Sequence, residues 1–158
     1  LGNGHFVGIS WKSPMITPRR LPNYTEPIDW KPVLSLPGMT FINLQSKNFD
    51  EDILKIKDNF GVTIHNFKDI DHYDNLDDVA ALGAALDICI SVSTTVSTIT
   101  AAVGTPTKML HWRQRTWNNI LNTPPGPNVD VFERNTWETW EEAFKSIAMD
   151  IRSFDRKK

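Results

Sequence analysis

The sequence predicts an α/β protein with a Rossmann-like parallel sheet and helices on both faces of that sheet. Short apolar runs rich in β-branched residues alternate with helical patterns along the 158 residues, and this alternation favours parallel strands joined by right-handed crossovers. The composition is 40% hydrophobic and 23% charged with a formal net charge of −2, which is typical of one globular domain with a core. Residues 86–110 also have the pattern of a strand, a helix and a second strand in immediate succession.

The same composition excludes several classes of protein. The near-neutral net charge does not indicate binding to nucleic acid or to an anionic membrane surface. The single cysteine, Cys89, excludes a disulfide framework and a cysteine-based zinc site, and it indicates a reducing, cytoplasmic location. No apolar run is long enough to span a bilayer, and the first residues do not form a signal peptide. We expect residues 1–158 to be one domain, excised from a longer protein.

Three elements open the chain. Residues 6–11 form an apolar run that predicts a buried strand, and a proline-rich loop with three positive charges follows it. Asp29 is expected to cap a short helix that stops before Gly38. Residues 39–45 are the next β-branched and apolar run, which predicts the second strand.

The middle of the chain continues the alternation. Residues 50–60 have apolar side chains at helical spacing and are followed by Gly61, a typical helix stop. Residues 62–67 predict a third, shorter strand. An acidic loop at 69–74 leads to an alanine-rich helix at about 76–86.

The unit at 86–110 is the most informative stretch. Its first strand, at 86–92, is apolar throughout, which is typical of a strand buried on both faces. Hydroxyl residues follow where a helix would start, and the apolar positions up to Val103 fall at helical spacing. Gly104 then ends the helix, and 108–110 begin the fifth strand.

The carboxyl-terminal part is less regular. Residues 112–128 are dense in Pro, Asn and Trp, so we expect no regular structure there. Residues 129–132 predict a last strand. Residues 137–154 predict an amphipathic helix that is capped by Thr136.

Polar side chains follow the predicted strands and are expected to converge at one edge of the sheet. They are Ser10 and Lys12 after the first strand, Gln45 and Lys47 after the second, and residues 93–98 after the fourth. Ligands of open α/β sheets bind at this edge, and a helix N-terminus there favours an anion. Thr94, Thr95 and the turn amides, including that of Val96, offer donors to phosphate oxygens. Positive charge is available from Lys12 or from one of the two arginines at 19–20.

Simpler interpretations stay open for these residues. The hydroxyls can serve only to cap a helix, and Lys12 can be solvated. Neither G-x-G-x-x-G nor a Walker motif is present. Asp69 and Asp71 are expected to be a solvated cap rather than a metal site. The histidines at 65, 72 and 111 lack ligand spacing and are expected to be structural, although the one at 111 points to the same edge.

Four segments carry a resemblance to a known family. They are VGISWKS at 7–13, FINLQ at 41–45, DVAALGAALDICISV at 78–92 and AAVGTP at 101–106. In this order they resemble the C-terminal, donor-binding half of GT-B glycosyltransferases, specifically the heptosyltransferase-like domains found after tetratricopeptide repeats. A more distant similarity is to the O-linked N-acetylglucosamine transferases. The likeness covers nearly the whole chain.

The resemblance implies a site for a nucleotide sugar. It places the donor's diphosphate on the helix start at 93–98, which includes Ser93 and Thr98. It implies that Lys12 contacts the phosphates, that the ribose lies near Gln45, and that the base stacks on the loop around Ile70. The family usually has Asp at the position of Ser93 and His at that of Thr98.

The resemblance also implies how the site would be used. It suggests a metal-independent transferase with a nucleoside diphosphate sugar as substrate and no further cofactor. The catalytic base would come from an acceptor domain elsewhere in the full-length chain, so no catalytic residue is assigned here and the fragment alone is expected to be inactive. The alternative is a non-catalytic Rossmann-like module that binds a protein partner beside tetratricopeptide repeats. Neither hypothesis involves nucleic acid or a membrane span.

Overall fold

The central sheet is parallel throughout and has the strand order β3-β2-β1-β4-β5-β6. It is seen in a computed structural model that describes residues 4–47, 49–113 and 126–152. The strands are β1 (His5–Ser10), β2 (Met39–Asn43), β3 (Ile64–His65), β4 (Ile88–Val92), β5 (Thr107–Trp112) and β6 (Val129–Arg134). The predicted Rossmann-like α/β fold is therefore confirmed, and the strand within 86–92 pairs with the first strand in the middle of the sheet.

Five α-helices within the described residues cover the sheet. They are α1 (Lys31–Leu34), α2 (Asp50–Phe60), α3 (Leu76–Ala84), α4 (Thr95–Ala102) and α5 (Glu141–Arg152). Two short 3₁₀ helices, Leu21–Asn23 and Pro27–Trp30, lie in the loop between β1 and α1. Because parallel strands need long crossovers, helices on both faces are the expected solution.

Successive side chains along each strand point to opposite faces of the sheet, so each face has its own part of the hydrophobic core. Val7 and Ile9 of β1 belong to a large cluster with side chains of α1, α2 and α5. Cys89 of β4 points to the opposite face, where the neighbouring apolar side chains include Leu82 of α3 and Val96 of α4. Both faces of the central strands are thus buried, which explains why polar and apolar residues do not alternate regularly along β4.

Gly8 allows a close approach of two side chains to the sheet. A Cβ atom built on Gly8 would lie 2.4 Å from Cδ1 of Leu86 and 2.6 Å from Cδ1 of Leu44. Two leucines from neighbouring connections therefore pack directly over the backbone of β1. Gly61 and Gly104 end α2 and α4 with positive φ angles of 66° and 85°, as their positions in the sequence predict.

The predicted start of the last helix, at residue 137, is wrong. Residues 136–139 are not helical, α5 begins at Glu141, and Thr136 does not cap it. Instead, the backbone N–H of Asn135 donates to Oε2 of Glu138 at 2.7 Å and closes a separate turn. Thr139 Oγ1 accepts from the N–H of Glu141 at 3.4 Å. Residues 153 and 154 of the predicted helix lie outside the described residues.

Other boundaries differ by a few residues. The third strand shrinks to Ile64–His65, and the second ends at Asn43. Asp29 is not the N-cap of the first helix. Its side chain accepts a hydrogen bond from the N–H of Glu26 at 2.8 Å instead. The fifth strand extends to Trp112, while residues 114–125 of the stretch expected to be irregular lie outside the described part of the chain.

Candidate functional site

The candidate site lies where the strand order reverses. β1 pairs with β4 in the middle of the sheet, and the chain leaves them toward opposite edges. The carboxyl ends of both strands open at this point, which is the usual ligand position in open α/β sheets. The N-terminus of α4 follows β4 after Ser93 and Thr94.

Hydrogen bonds within the turn hold the start of α4. The N–H of Thr94 donates to Oγ of Ser97 at 3.2 Å, and that hydroxyl donates to the carbonyl of Thr94 at 2.8 Å. The N–H of Ser93 is bound to the carbonyl of Leu110 at 2.9 Å. Thr95 is exposed at the first helical position. The turn is therefore rigid and presents the positive end of the α4 dipole to two clefts.

The larger cleft has a volume of about 550 Å³ and opens on the β5 side of the turn. We call it the arginine cleft. Its lining includes Arg19, Arg20, Ser93, Thr94, His111 and Trp112.

Two residues of this lining carry buried nitrogens that lack a partner. Trp112 Nε1 and His111 Nδ1 are buried atoms without a hydrogen-bond partner in the described part of the chain. Burial holds the pKa of His111 below its usual range, and the nearby Glu133 opposes that shift. With the two exposed arginines, the cleft offers donors and positive charge, which suits an anionic or oxygen-rich ligand.

Asn23 ties the arginine-bearing loop to the sheet. Its Nδ2 donates to the carbonyl of Ser93 at 3.2 Å, and its Oδ1 accepts from the N–H of Trp112 at 3.0 Å. Further along the loop, Trp140 Nε1 donates to the carbonyl of Tyr24 at 2.9 Å. Sequence reasoning missed Asn23, because its partners are about 70 and 89 residues away and no local pattern reveals them.

The smaller cleft has a volume of about 300 Å³ and lies on the other side of the turn. We call it the histidine cleft. Its lining includes Ser10, Lys12, His72, Leu76, Thr95 and Val96. Thr94 and Thr95 border both clefts, so the helix start is their shared wall.

Lys12 is paired with a carboxylate in the structure. Its ammonium group forms an ion pair with Asp52 of α2, and the two side chains are only 21% and 7% exposed. Oδ2 of Asp52 also accepts from Trp11 Nε1 at 2.8 Å. Lys12 borders the histidine cleft, and the buried carboxylate of Asp52 balances its charge in this structure. Its contact with the phosphates stays a prediction.

Gln45 is near the site but lines neither cleft. Its Oε1 accepts from Oγ of Ser10 at 3.2 Å and from the N–H groups of Trp11 and Lys12 at 3.2 and 3.1 Å. The side chain is completely buried. In this structure Gln45 therefore holds the end of β1 in place.

Two further candidates also lie apart from both clefts. Thr98 is exposed on α4, with Oγ1 3.5 Å from the carbonyl of Thr94. Ile70 sits in a turn, where its N–H donates to the carbonyl of Phe67 at 3.2 Å. Neither residue is among those that line the arginine or histidine cleft.

The acidic loop is organised by its own backbone. Oδ1 of Asp71 accepts from the N–H groups of Asp74 and Tyr73, and these bonds hold the pKa of Asp71 below its usual range. Across the described ranges, no group of three His, Cys, Asp or Glu side chains could hold a metal ion. Cys89 is fully buried, which raises the pKa of its thiol to about 12 and makes it unreactive.

The fold is shared with a solved glycosyltransferase. The glycosyl transferase family 9 structure from Veillonella parvula aligns with 99% of this chain and 41% of its own, with a TM-score of 0.57 and 11% identity. At that identity the likeness establishes a glycosyltransferase-like fold of the Rossmann type and no more. Searching the described residues for a helix able to cross a membrane finds none.

One curated protein is similar in sequence. Protein FlbA of Caulobacter vibrioides is 36% identical over 156 residues, which is 98% of this chain and 26% of FlbA. The chain thus spans about a quarter of the length of this relative. No family profile matches the chain.

Proposed function

We propose that this chain is the nucleotide-sugar-binding domain of a GT-B glycosyltransferase. One observation carries the proposal: the N-terminus of α4 lies at the switch point of the sheet and forms the shared wall of two clefts. A nucleotide sugar has an anionic centre with a neutral group on each side. The phosphates would lie on the turn at 94–96, and the nucleoside and sugar would extend into the two clefts.

The charges around the turn support phosphate binding. The backbone N–H groups at the start of α4 and its dipole favour an anion. Arg19 and Arg20 provide exposed guanidinium groups on the arginine cleft, and guanidinium binds phosphate with two parallel hydrogen bonds. Lys12 would contribute less than these arginines because Asp52 already pairs with it.

In sugar transfer these groups would act on the leaving group. Negative charge grows on the departing phosphate as the bond to the sugar breaks, and a fixed helix N-terminus stabilises it without rearrangement. We assign no catalytic base within this chain. We propose that an acceptor domain in a longer protein supplies the base, consistent with the share of FlbA that this chain spans.

Calorimetry with nucleoside diphosphates tests the proposal. At low salt we expect at least one of UDP, ADP, GDP or CDP to bind. Replacing Arg19 and Arg20 together with alanine should weaken binding about tenfold, because exposed charge-assisted bonds are worth less than buried ones. The control is Lys57→Ala, which removes an exposed positive charge on α2 and should leave binding unchanged.

A second candidate function is a non-catalytic module for protein binding beside tetratricopeptide repeats. It is favoured by the hydroxyls at Ser93 and Thr98, which replace the usual carboxylate and imidazole, and by the position of Thr98 outside both clefts. Absence of nucleotide binding at millimolar ligand and low salt would select this function.

A further inference from the structure

The two arginines of the arginine cleft are carried by a loop between β1 and α1, residues 13–24, which we call the arginine loop. The N–H groups of Arg20 and Leu21 both donate to the carbonyl of Thr17 at 2.9 Å. These bonds fix the local shape of the loop and do not attach it to the rest of the domain. The contacts that residues 22–24 make with the sheet and with α5 therefore help to set where both guanidinium groups lie.

Three consecutive residues at the end of the arginine loop are each bound by a different part of the domain. The carbonyl of Pro22 accepts from Nη2 of Arg134, the last residue of β6. The side chain of Asn23 bridges the carboxyl ends of β4 and β5. The carbonyl of Tyr24 accepts from Nε1 of Trp140 at 2.9 Å. Because the loop is held at three successive residues, its arginines are positioned beside the start of α4 before any ligand binds.

Arg134 is itself held firmly on the side away from the loop. Its Nη1 donates to the carbonyl of Glu138 at 2.8 Å, and its guanidinium carbon lies 4.6 Å from the ring centroid of Trp140, which is only 4% exposed. The planar group is therefore fixed between a turn and an indole face, and its Nη2 reaches the loop. Arg134 lines neither cleft, so any effect on a bound anion would pass through the arginine loop.

We propose that Arg134, together with Asn23, is a positioning residue that holds the arginine loop beside the start of α4 and so raises the affinity of the arginine cleft for phosphate groups. This rests on the proposed function, because it takes the phosphates of a nucleotide sugar as the anion. Side chains and loops lose conformational freedom when they bind a ligand, and a loop that is already fixed loses less. Release of the loop therefore weakens binding, at most by the whole contribution of its two arginines.

Arg134→Lys tests the inference because it keeps the positive charge and changes only the geometry. Lysine lacks the planar group that binds the carbonyl of Pro22 and stacks on Trp140 at the same time. The matched control is Arg152→Lys, which makes the same replacement at an exposed position of α5. Asn23→Ala is a second variant, which frees the loop from β4 and β5 and leaves the bond to Pro22 in place.

Two measurements separate positioning from a general loss of stability. Hydrogen–deuterium exchange of residues 13–24 should be faster in Arg134→Lys and in Asn23→Ala than in the unmodified chain, while β1 and β4 keep their exchange rates. Calorimetry with inorganic diphosphate at low salt should show about three- to fivefold weaker binding in Arg134→Lys, less than the loss of about tenfold expected when both arginines are replaced. The control, Arg152→Lys, should change neither quantity.

A double-mutant cycle shows whether the effect passes through the arginines. With Arg19 and Arg20 already replaced by alanine, Arg134→Lys should weaken diphosphate binding no further, because the loop then presents no charge. A full additional loss would overturn the inference, and so would unchanged loop exchange or unchanged affinity in Arg134→Lys, with the proposed function left standing. If neither inorganic diphosphate nor any of the four nucleoside diphosphates binds the unmodified chain, the proposed function fails and this inference fails with it.

Discussion

Replacing Asp52 with asparagine tests whether Lys12 is withheld from the ligand. Asp52 is almost fully buried and accepts from both Lys12 and Trp11. Asparagine keeps an oxygen for Trp11 Nε1 but removes the charge that pairs with Lys12. Charged hydrogen bonds contribute about 1.5–3 kcal/mol and neutral ones about half of that, so we expect a loss of about 1.5 kcal/mol in unfolding free energy. For this chain length the unfolding temperature should fall by about 3–6 °C.

The same change should strengthen diphosphate binding. A phosphate that touches Lys12 would lie about 6 Å from the Asp52 carboxylate, and the repulsion at an effective dielectric constant of about 40–80 is about 0.7–1.4 kcal/mol. Removing it should therefore raise affinity about three- to tenfold at low salt, with a smaller gain at physiological ionic strength. Stability and affinity are expected to move in opposite directions.

Calorimetry with inorganic diphosphate and thermal unfolding measure the two effects on the same samples. Asp58→Asn is the matched control, since it removes an exposed carboxylate from the same helix. Adding Lys12→Ala to Asp52→Asn should abolish the gain. An affinity that stays constant or falls in Asp52→Asn would refute the idea that Asp52 competes with the ligand for Lys12.

Three other predictions address stability and activity. Burial lowers the pKa values of His72 and His111, so the unfolded chain takes up protons before the folded chain as the pH falls below about 6.5. The unfolding temperature should therefore be lower at pH 5.5 than at pH 7.5, and this difference should be smaller in His72→Phe. Lys108 is 7% exposed and pairs with Asp130 and Asp150, which are 66% and 49% exposed. Because water can solvate both carboxylates once the lysine is gone, Lys108→Met should change stability by less than about 1 kcal/mol in chemical denaturation; a loss above about 3 kcal/mol, as for a buried carboxylate left unpaired, would contradict this. The chain alone should not transfer sugar from a nucleotide sugar to an added acceptor in a turnover assay, whereas slow donor hydrolysis is compatible with the prediction.

Local patterns were sufficient to predict the fold. The unit at 86–110 has a doubly buried strand, hydroxyls at a helix start and a glycine stop, and each of these signals lies within a few residues. The boundaries of α5 could not be predicted in the same way. The apolar spacing from residue 137 onward is helical, but Asn135 and Glu138 satisfy each other's polar groups in a turn, which delays the helix to Glu141.

The candidate site was predictable only in part. Ser93, Thr94 and Thr95 could be located because they directly follow a recognisable strand. The pairing of Lys12 with Asp52 could not, since 40 residues separate them and Asp52 looks like an ordinary acidic residue in the first turn of α2. The burial of His72, which was expected to be structural, could not be predicted either, because its covering neighbours are not evident from the local sequence.

Several buried polar atoms without hydrogen-bond partners in the described ranges belong to residues that line the clefts. Beneath α4 the buried hydroxyls are paired: Oγ1 of Thr100 and Oγ1 of Thr107 are 3.0 Å apart, and Oγ1 of Thr107 donates to a carbonyl at 2.9 Å. Among the described residues, the nitrogens of His72, Nδ1 of His111 and Nε1 of Trp112 are buried without hydrogen-bond partners, and all three residues line a cleft. Nε2 of Gln45 and Nε of Arg134 are unpaired in the same part of the chain and belong to residues outside both clefts. Selection for stability alone would pair or remove these groups. A ligand that binds the start of α4 from these clefts would raise the unfolding temperature, because it binds the folded chain alone.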